Sequence, residues 1–151
     1  MTPLQKMLIA EDSDTIRNFF RMILPRWGYD ITLAENGQIA YGKWTEARQE
    51  RQPYRLVISD ILMPTSAQGG VKLYRDIRAS EGAQEISHVP FLFMSGELGD
   101  SKSDLKRILE DDKQHTRFML KPVETILLKE QIAQLLQASA LKHNFLNQKI
   151  I

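Results

Sequence analysis

Short apolar runs alternate with stretches of helical periodicity five times along the 151-residue chain. The clearest helical stretch places Ile16, Phe19, Phe20, Ile23 and Leu24 on one face, with Ser13 or Asp14 available as its N-cap. Parallel strands need crossover connections, which are usually helices. The alternation therefore predicts an α/β fold of the (βα)5 type, with a parallel sheet of five strands and helices on both faces.

The length suits one domain, which we place at residues 1–140, with residues 141–151 as a C-terminal tail or helix extension. A second helix is predicted over residues 38–48, with Ile39, Ala40, Trp44 and Ala47 buried. The last helix is predicted to open at Pro122 and to face the core with Ile126, Leu128, Ile132, Leu135 and Leu136.

Charged residues follow three of the apolar runs directly. Glu11 and Asp12 close the first run, Asp60 closes the third, and Lys121 follows the last. The carboxyl ends of parallel strands lie at one edge of a sheet, and ligands bind there in open α/β folds. We therefore expect these four side chains to form one site.

Composition excludes several classes of function. Twenty basic and nineteen acidic residues leave a net charge of +1, which provides no field for binding nucleic acid or a membrane. The absence of cysteine excludes disulfides, thiol catalysis and cysteine-type zinc sites, and the three histidines show no ligand spacing, so we expect them at the surface. No apolar run approaches the ~20 residues of a membrane helix. A cytoplasmic protein is expected.

The acidic residues indicate a metal and phosphoryl chemistry. An aspartate accepts a phosphoryl group only if its own negative charge and that of the incoming group are offset. Glu11, Asp12 and Asp60 at one edge would repel one another unless a hard divalent cation such as Mg²⁺ neutralised them. Magnesium is therefore the expected cofactor.

These positions resemble the receiver domains of two-component response regulators, over about residues 4–140. The matching positions are the acidic pair Glu11-Asp12, Asp60 with Met63-Pro64 behind it, Ser95 between Met94 and Gly96, Lys121 before Pro122, and the aromatic Phe118. Each match is weak alone, but together and in order they are a strong signal. The resemblance implies a doubly wound, flavodoxin-like sheet with the strand order 2-1-3-4-5.

The resemblance also implies a role for each position. Asp60 is the expected phosphoacceptor, and Asp12 and Asp60 are expected to ligate Mg²⁺ directly, together with the backbone carbonyl of Leu62. Glu11 would act through a metal-bound water.

Lys121 and the Ser95 hydroxyl are expected to contact the phosphoryl group. Ser95 and Phe118 would then form the switch, with the hydroxyl moving toward the phosphoryl group and the aromatic ring turning into the vacated space.

A receiver of this kind is expected to take its phosphoryl group from a sensor histidine kinase or a histidine phosphotransfer protein. It would signal by docking a downstream protein on the face formed by helix four, strand five and helix five, with no role for nucleic acid or a membrane. No enzymatic activity is expected beyond self-phosphorylation and self-dephosphorylation.

Three alternatives stay open at this point. The chain can be a receiver-like interaction module that does not use phosphate, or a receiver fragment of a larger response regulator or hybrid kinase. A metal phosphohydrolase of the haloacid dehalogenase type is disfavoured, because such enzymes need an aspartate at the position of Leu62.

Two features depart from the common receiver pattern. The segment 65–69 after Pro64 is about two residues longer than usual and lacks an acidic residue before the glycine. Leu62 is apolar where polar residues can help to place the hydrolytic water, so we expect a long-lived phosphoryl group.

Overall fold

The computed structural model describes residues 3–63 and 69–150, without the side chains of residues 141–150. The predicted longer segment after Pro64 therefore lies outside the described residues, apart from Gly69. Strands and helices alternate in the order β1 (Gln5–Ala10), α1 (Asp14–Ile23), β2 (Tyr29–Ala34), α2 (Gly37–Gln49), β3 (Leu56–Asp60), α3 (Gly69–Gln84), β4 (Phe91–Ser95), α4 (Lys102–Asp111), β5 (Thr116–Leu120) and α5 (Thr125–Ile150). Single 3₁₀ turns follow α1 at Pro25–Trp27 and precede α4 at Gly99–Ser101.

The five strands form one parallel sheet in the order β2-β1-β3-β4-β5. This confirms the (βα)5 prediction and the strand order that the resemblance implied. The register pairs Ala10 with Ser59, Asp60 with Met94, and Ser95 with Leu120. The carboxyl ends of β1, β3, β4 and β5 consequently lie side by side.

Apolar side chains cover both faces of the sheet, because successive strand residues point to opposite sides. Leu8, Val57 and Phe93 belong to one core cluster, which the buried faces of α2, α3 and α4 complete. Met7, Ile58 and Met94 belong to a second cluster, which α1 and α5 complete. Every residue of β3 and β4 is buried, as expected for central strands of a doubly covered parallel sheet.

The predicted start of α1 is confirmed at Ser13. Its hydroxyl accepts a hydrogen bond of 3.3 Å from the backbone N–H of Ile16, which caps the helix. Gly28, with φ of 90°, ends the following turn in the left-handed region that favours glycine. The acidic pair thus lies in a short link between β1 and α1.

Two predicted core positions are wrong. Ile39 is 41% exposed. The buried stripe of α2 consists of Ala40, Trp44 and Ala47. Ile39 lies about 100° around the helix axis from its neighbour Ala40, and its side chain therefore points away from that stripe.

Ile126 is 68% exposed, since it lies about 200° around α5 from the buried Leu128. The helix begins at Thr125 instead of Pro122, whose peptide bond with Lys121 is cis.

No helix in the described part of the chain is long and apolar enough to cross a bilayer.

Candidate functional site

Three of the predicted charged residues meet at the carboxyl edge of the sheet. Glu11 follows β1, Asp60 is the last residue of β3, and Lys121 follows β5. The Lys121 Nζ lies 2.8 Å from Asp60 Oδ2 and 2.9 Å from Glu11 Oε2. The backbone N–H of Lys121 also donates to the Ser95 carbonyl at 3.0 Å, which fixes the lysine beside the end of β4. The strand ends therefore place a single ammonium group between two carboxylates.

Burial dominates the electrostatics of the two carboxylates. Glu11 is 0% exposed and Asp60 is 5% exposed. Burial and repulsion from Asp60 raise the pKa of Glu11. The hydrogen bond from Lys121 acts to lower that pKa but does not offset the rise. Burial also raises the pKa of Asp60, again opposed by Lys121 and reinforced by the negative charge of Asp12.

The lysine responds in the opposite way. Burial acts to lower the pKa of Lys121, but hydrogen bonds to Asp60 and Glu11 outweigh burial and leave that pKa raised. Lys121 is consequently a permanent positive charge at this edge. One such charge cannot neutralise three carboxylates.

The donor set suits a hard divalent cation. Glu11, Asp12 and Asp60 each bring a carboxylate oxygen within 4.8 Å of the other two. Asp12 is exposed and faces solvent at this edge. Oxygen-only ligands with excess negative charge are typical of Mg²⁺ sites. The predicted acidic cluster is thus brought together by the fold.

Leu62 is held beside the acceptor by its backbone. Its N–H donates to Asp60 Oδ1 at 3.3 Å, and its side chain packs partly buried against the core cluster of α2, α3 and α4. The apolar side chain offers no hydrogen bond to a water at this position.

Two residues that the sequence analysis did not identify support the acidic pair and the acceptor. Arg17 on α1 donates from Nη1 to the Glu11 carbonyl at 2.7 Å. At Gly70, a Cβ atom would lie 2.3 Å from the Asp60 carbonyl oxygen, so α3 starts in direct contact with the acceptor backbone. The Gly69-Gly70 pair at a helix start was a usable signal for Gly70, whereas nothing in the sequence singles out Arg17.

The predicted switch residues lie on β4 and β5. Ser95 ends β4, is 1% exposed, and its hydroxyl donates to the carbonyl of Glu97. The Glu97 N–H donates back to Ser95 Oγ at 3.3 Å. Phe118 pairs in register with Phe93 and is partly buried against the same core cluster as Leu62. The serine is thus at the site, while the aromatic ring is part of the core packing.

The prediction of surface positions for the histidines is wrong for His115. Its side chain is only 12% exposed and its Nδ1 lies 2.8 Å from Asp112 Oδ1. The fold also places His88 beside the same carboxylate, although the two histidines lie far apart in sequence.

Comparison with known proteins agrees with this fold. The model of the response regulator receiver domain family matches residues 7–133. The chain is 32% identical over 135 residues to the 3',5'-cyclic-nucleotide phosphodiesterase regA of Dictyostelium discoideum, an alignment that covers 88% of the chain and 15% of that protein. The chain therefore spans a small part of this relative's length.

Solved structures of receivers share the fold. A response regulator receiver domain from Clostridium thermocellum superposes with a TM-score of 0.71 at 22% identity, covering 91% of this chain and 98% of that one. The receiver domain of Ssk1 from Saccharomyces cerevisiae, solved with the phosphotransfer protein Ypd1, has a TM-score of 0.65 at 23% identity, with coverage of 87% and 88%.

The match to this family shows a protein of two-component signalling. Within that class, the chain belongs to the response regulator receiver domain family. Phosphoaspartate and magnesium binding are typical of this family.

Proposed function

We propose that the domain is a phosphorylation-activated switch with Asp60 as phosphoacceptor. The observation that carries this proposal is the buried Asp60 carboxylate, held 2.8 Å from the Lys121 ammonium group and grouped with Glu11 and Asp12. Desolvation and a fixed cation are the means by which proteins prepare a nucleophile for a charged substrate.

The transfer involves one bond made and one bond broken. A carboxylate oxygen of Asp60 attacks the phosphorus of a phosphohistidine, the P–N bond breaks, and the imidazole leaves with the bonding electron pair. Lys121 offsets the negative charge that accumulates on the phosphoryl oxygens. The product is an acyl phosphate on Asp60.

Asp12, Asp60 and the Leu62 carbonyl would hold Mg²⁺, with Glu11 acting through a water. When bound, the ion supplies additional positive charge at the phosphoryl oxygens. The division of roles is supported by burial: Asp12 is exposed, whereas Glu11 is fully buried and bonded to Lys121.

The Ser95 hydroxyl provides the state-dependent contact. In the unphosphorylated protein it is bonded to the Glu97 carbonyl, and after phosphorylation it would donate to a phosphoryl oxygen instead. Phe118 would turn into the vacated space. Both residues lie next to the proposed docking face of α4, β5 and α5, where Leu120 and Ile126 are exposed apolar side chains.

The donor is proposed to be a sensor histidine kinase or a histidine phosphotransfer protein. The complex of the Ssk1 receiver with Ypd1 supports this class of partner, because that receiver shares the present fold. The downstream partner is proposed to be a protein.

Acetyl phosphate tests the acceptor without a kinase. Incubation with Mg²⁺ followed by intact-mass measurement is expected to show one added phosphoryl group in the wild type and none in Asp60→Asn. The matched control is Asp76→Asn, which removes an exposed carboxylate on α3 and is expected to label normally.

Two results contradict the proposal. Equal labelling of Asp60→Asn would assign the phosphoryl group to another residue. Absence of labelling in the wild type, with a folded control, would favour the phosphate-independent interaction module.

A further inference from the structure

A second polar cluster lies at the opposite edge of the sheet from Asp60. His88 precedes β4, Asp112 is the C-cap of α4, and His115 precedes β5. One ligand atom from each residue lies within 4.8 Å of the other two. Two imidazoles and one carboxylate thus converge from three different segments.

The two oxygens of Asp112 have different partners. Oδ2 accepts from the Tyr74 hydroxyl at 2.7 Å and from Arg78 Nε at 3.0 Å. Oδ1 lies 2.8 Å from His115 Nδ1 and 3.8 Å from His88 Nδ1. The carboxylate is therefore held in place through one oxygen while the other faces both imidazoles.

The cluster carries enough negative charge to attract a cation, although Arg78 lies beside it. Arg78 also donates to Glu81, which is 1% exposed, at 2.7 Å. One guanidinium group is thus shared by two carboxylates, and the cluster keeps a net negative charge. The neighbouring Glu110 and Asp111 add negative charge to the cavity beside it, against one lysine, Lys113.

The segment that carries Asp112 and His115 is fixed by its own backbone. The Asp112 N–H donates to Ile108 at 2.9 Å, and the Asp112 carbonyl accepts from the His115 N–H at 3.0 Å. The Thr116 hydroxyl donates to the same carbonyl at 2.8 Å. A ligand pair on such a tight turn needs little backbone reorganisation to bind an ion, which would displace the proton of the His115–Asp112 hydrogen bond.

We propose that His88, Asp112 and His115 form a binding site for a zinc-type divalent metal ion. Ligand atoms at 2.0–2.2 Å from zinc lie about 3.3–3.6 Å apart in a tetrahedron. The observed separations of 2.8 and 3.8 Å from Asp112 Oδ1 lie on either side of that value. Three protein ligands leave one position for water.

The site is open to solvent. A cavity of about 260 Å³ is lined by all three residues, and the two histidines also line a groove of about 860 Å³. The His88 side chain is 45% exposed, whereas those of Asp112 and His115 are each 12% exposed. An ion can therefore reach the largely preformed pair of Asp112 and His115 from solvent. The exposed His88 would supply the third ligand.

The ligand types separate this site from the acidic cluster around Asp60. Imidazole ligands suit zinc, copper and nickel, whereas an all-oxygen set suits magnesium. The neutral imidazole is the form that binds a metal ion. Each edge of the sheet would select its own metal.

Calorimetric titration of the metal-free protein with ZnCl₂ in excess Mg²⁺ tests the proposal. We expect one zinc per chain, with an affinity that is unchanged in Asp60→Asn and at least about tenfold weaker in His88→Ala and in His115→Ala. His88→Ala is the decisive variant, because this exposed side chain can be removed without unfolding the domain. Titration with CoCl₂ should give visible absorption bands that His88→Ala abolishes.

Gln114→Ala is the matched control, since Gln114 lines the same cavity without a charged or imidazole group, and its zinc affinity should equal that of the wild type. Zinc binding unaltered in His88→Ala would overturn the proposal. So would zinc binding lost in Asp60→Asn, which would place the ion at the acidic cluster. Neither result depends on whether Asp60 accepts phosphate.

Discussion

At the scale of single residues, Asp60 combines burial with close contact to a cation. The sequence predicted its position, because an acid directly after a buried run lies at the end of a strand. It did not predict that Lys121 contacts both Glu11 and Asp60, since that contact depends on the lengths and rotamers of side chains from three strands. The sequence also did not predict the hydrogen bond from Arg17 to the Glu11 carbonyl, because this contact too depends on the conformation of a long side chain.

The raised pKa of Asp60 predicts that the metal-free acceptor destabilises the fold near neutral pH. An acid whose pKa is higher in the folded protein than its ordinary 3.8 binds its proton more tightly when folded. Its destabilising effect is full above the folded pKa and disappears as the pH falls toward 3.8. Asp60→Asn should therefore raise the free energy of unfolding at pH 7, and the gain should shrink in acid.

Urea denaturation in a chelator at a series of pH values measures this gain. Asp30→Asn, at an exposed position on β2, is the control for the loss of one carboxylate outside the acidic cluster. A gain that grew in acid would reverse the sign of the argument.

At the scale of elements, the start of α3 is built onto the acceptor. The N–H of Gly70 donates to the Ile61 carbonyl at 3.0 Å, and its missing side chain allows contact with the Asp60 backbone. Helix periodicity predicted the core face of α1 because its apolar residues form a continuous stripe. It failed at Ile39 and Ile126, which lie in first turns where an apolar residue beside the stripe cannot be distinguished from one within it.

Gly70→Ala should destabilise the protein by about 3 kcal/mol, the upper end of the usual cost of overpacking, because the new Cβ atom would lie 2.3 Å from the Asp60 carbonyl. Gly82→Ala is the control within the same helix. It has no atom within 4 Å of a new Cβ, so it should stabilise by up to about 1 kcal/mol. Chemical denaturation of both variants checks this pair, and similar values for the two would refute the contact argument.

At the scale of the whole molecule, folding assembles an acidic cluster that could hold a metal ion and that the unfolded chain lacks. Glu11 and Asp12 follow β1 while Asp60 ends β3, so these carboxylates approach one another only when the sheet forms. An ion that binds only the folded state stabilises it by mass action. The sequence predicted this site through strand ends, but it missed the histidine cluster because His88 and His115 are brought together only by the packing of loops.

Mg²⁺ should raise the free energy of unfolding by about 2.7 kcal/mol at a concentration 100 times its dissociation constant. Asp12→Ala should remove more of this increment than Glu11→Ala, because a direct ligand contributes more than one that acts through water. Thermal denaturation with and without Mg²⁺ gives the increment for each variant. Asp76→Ala should keep the full increment, and a larger loss in Glu11→Ala would reverse the roles of the pair.

The strand β4 separates the two edges of the sheet, with His88 before its first residue and Ser95 as its last. Five strand residues span about 16 Å, a distance over which substitutions without shared partners usually act additively. The free-energy effects of substitutions at the two edges should therefore add. Removing the imidazole pair would leave the contacts of the acidic edge unchanged.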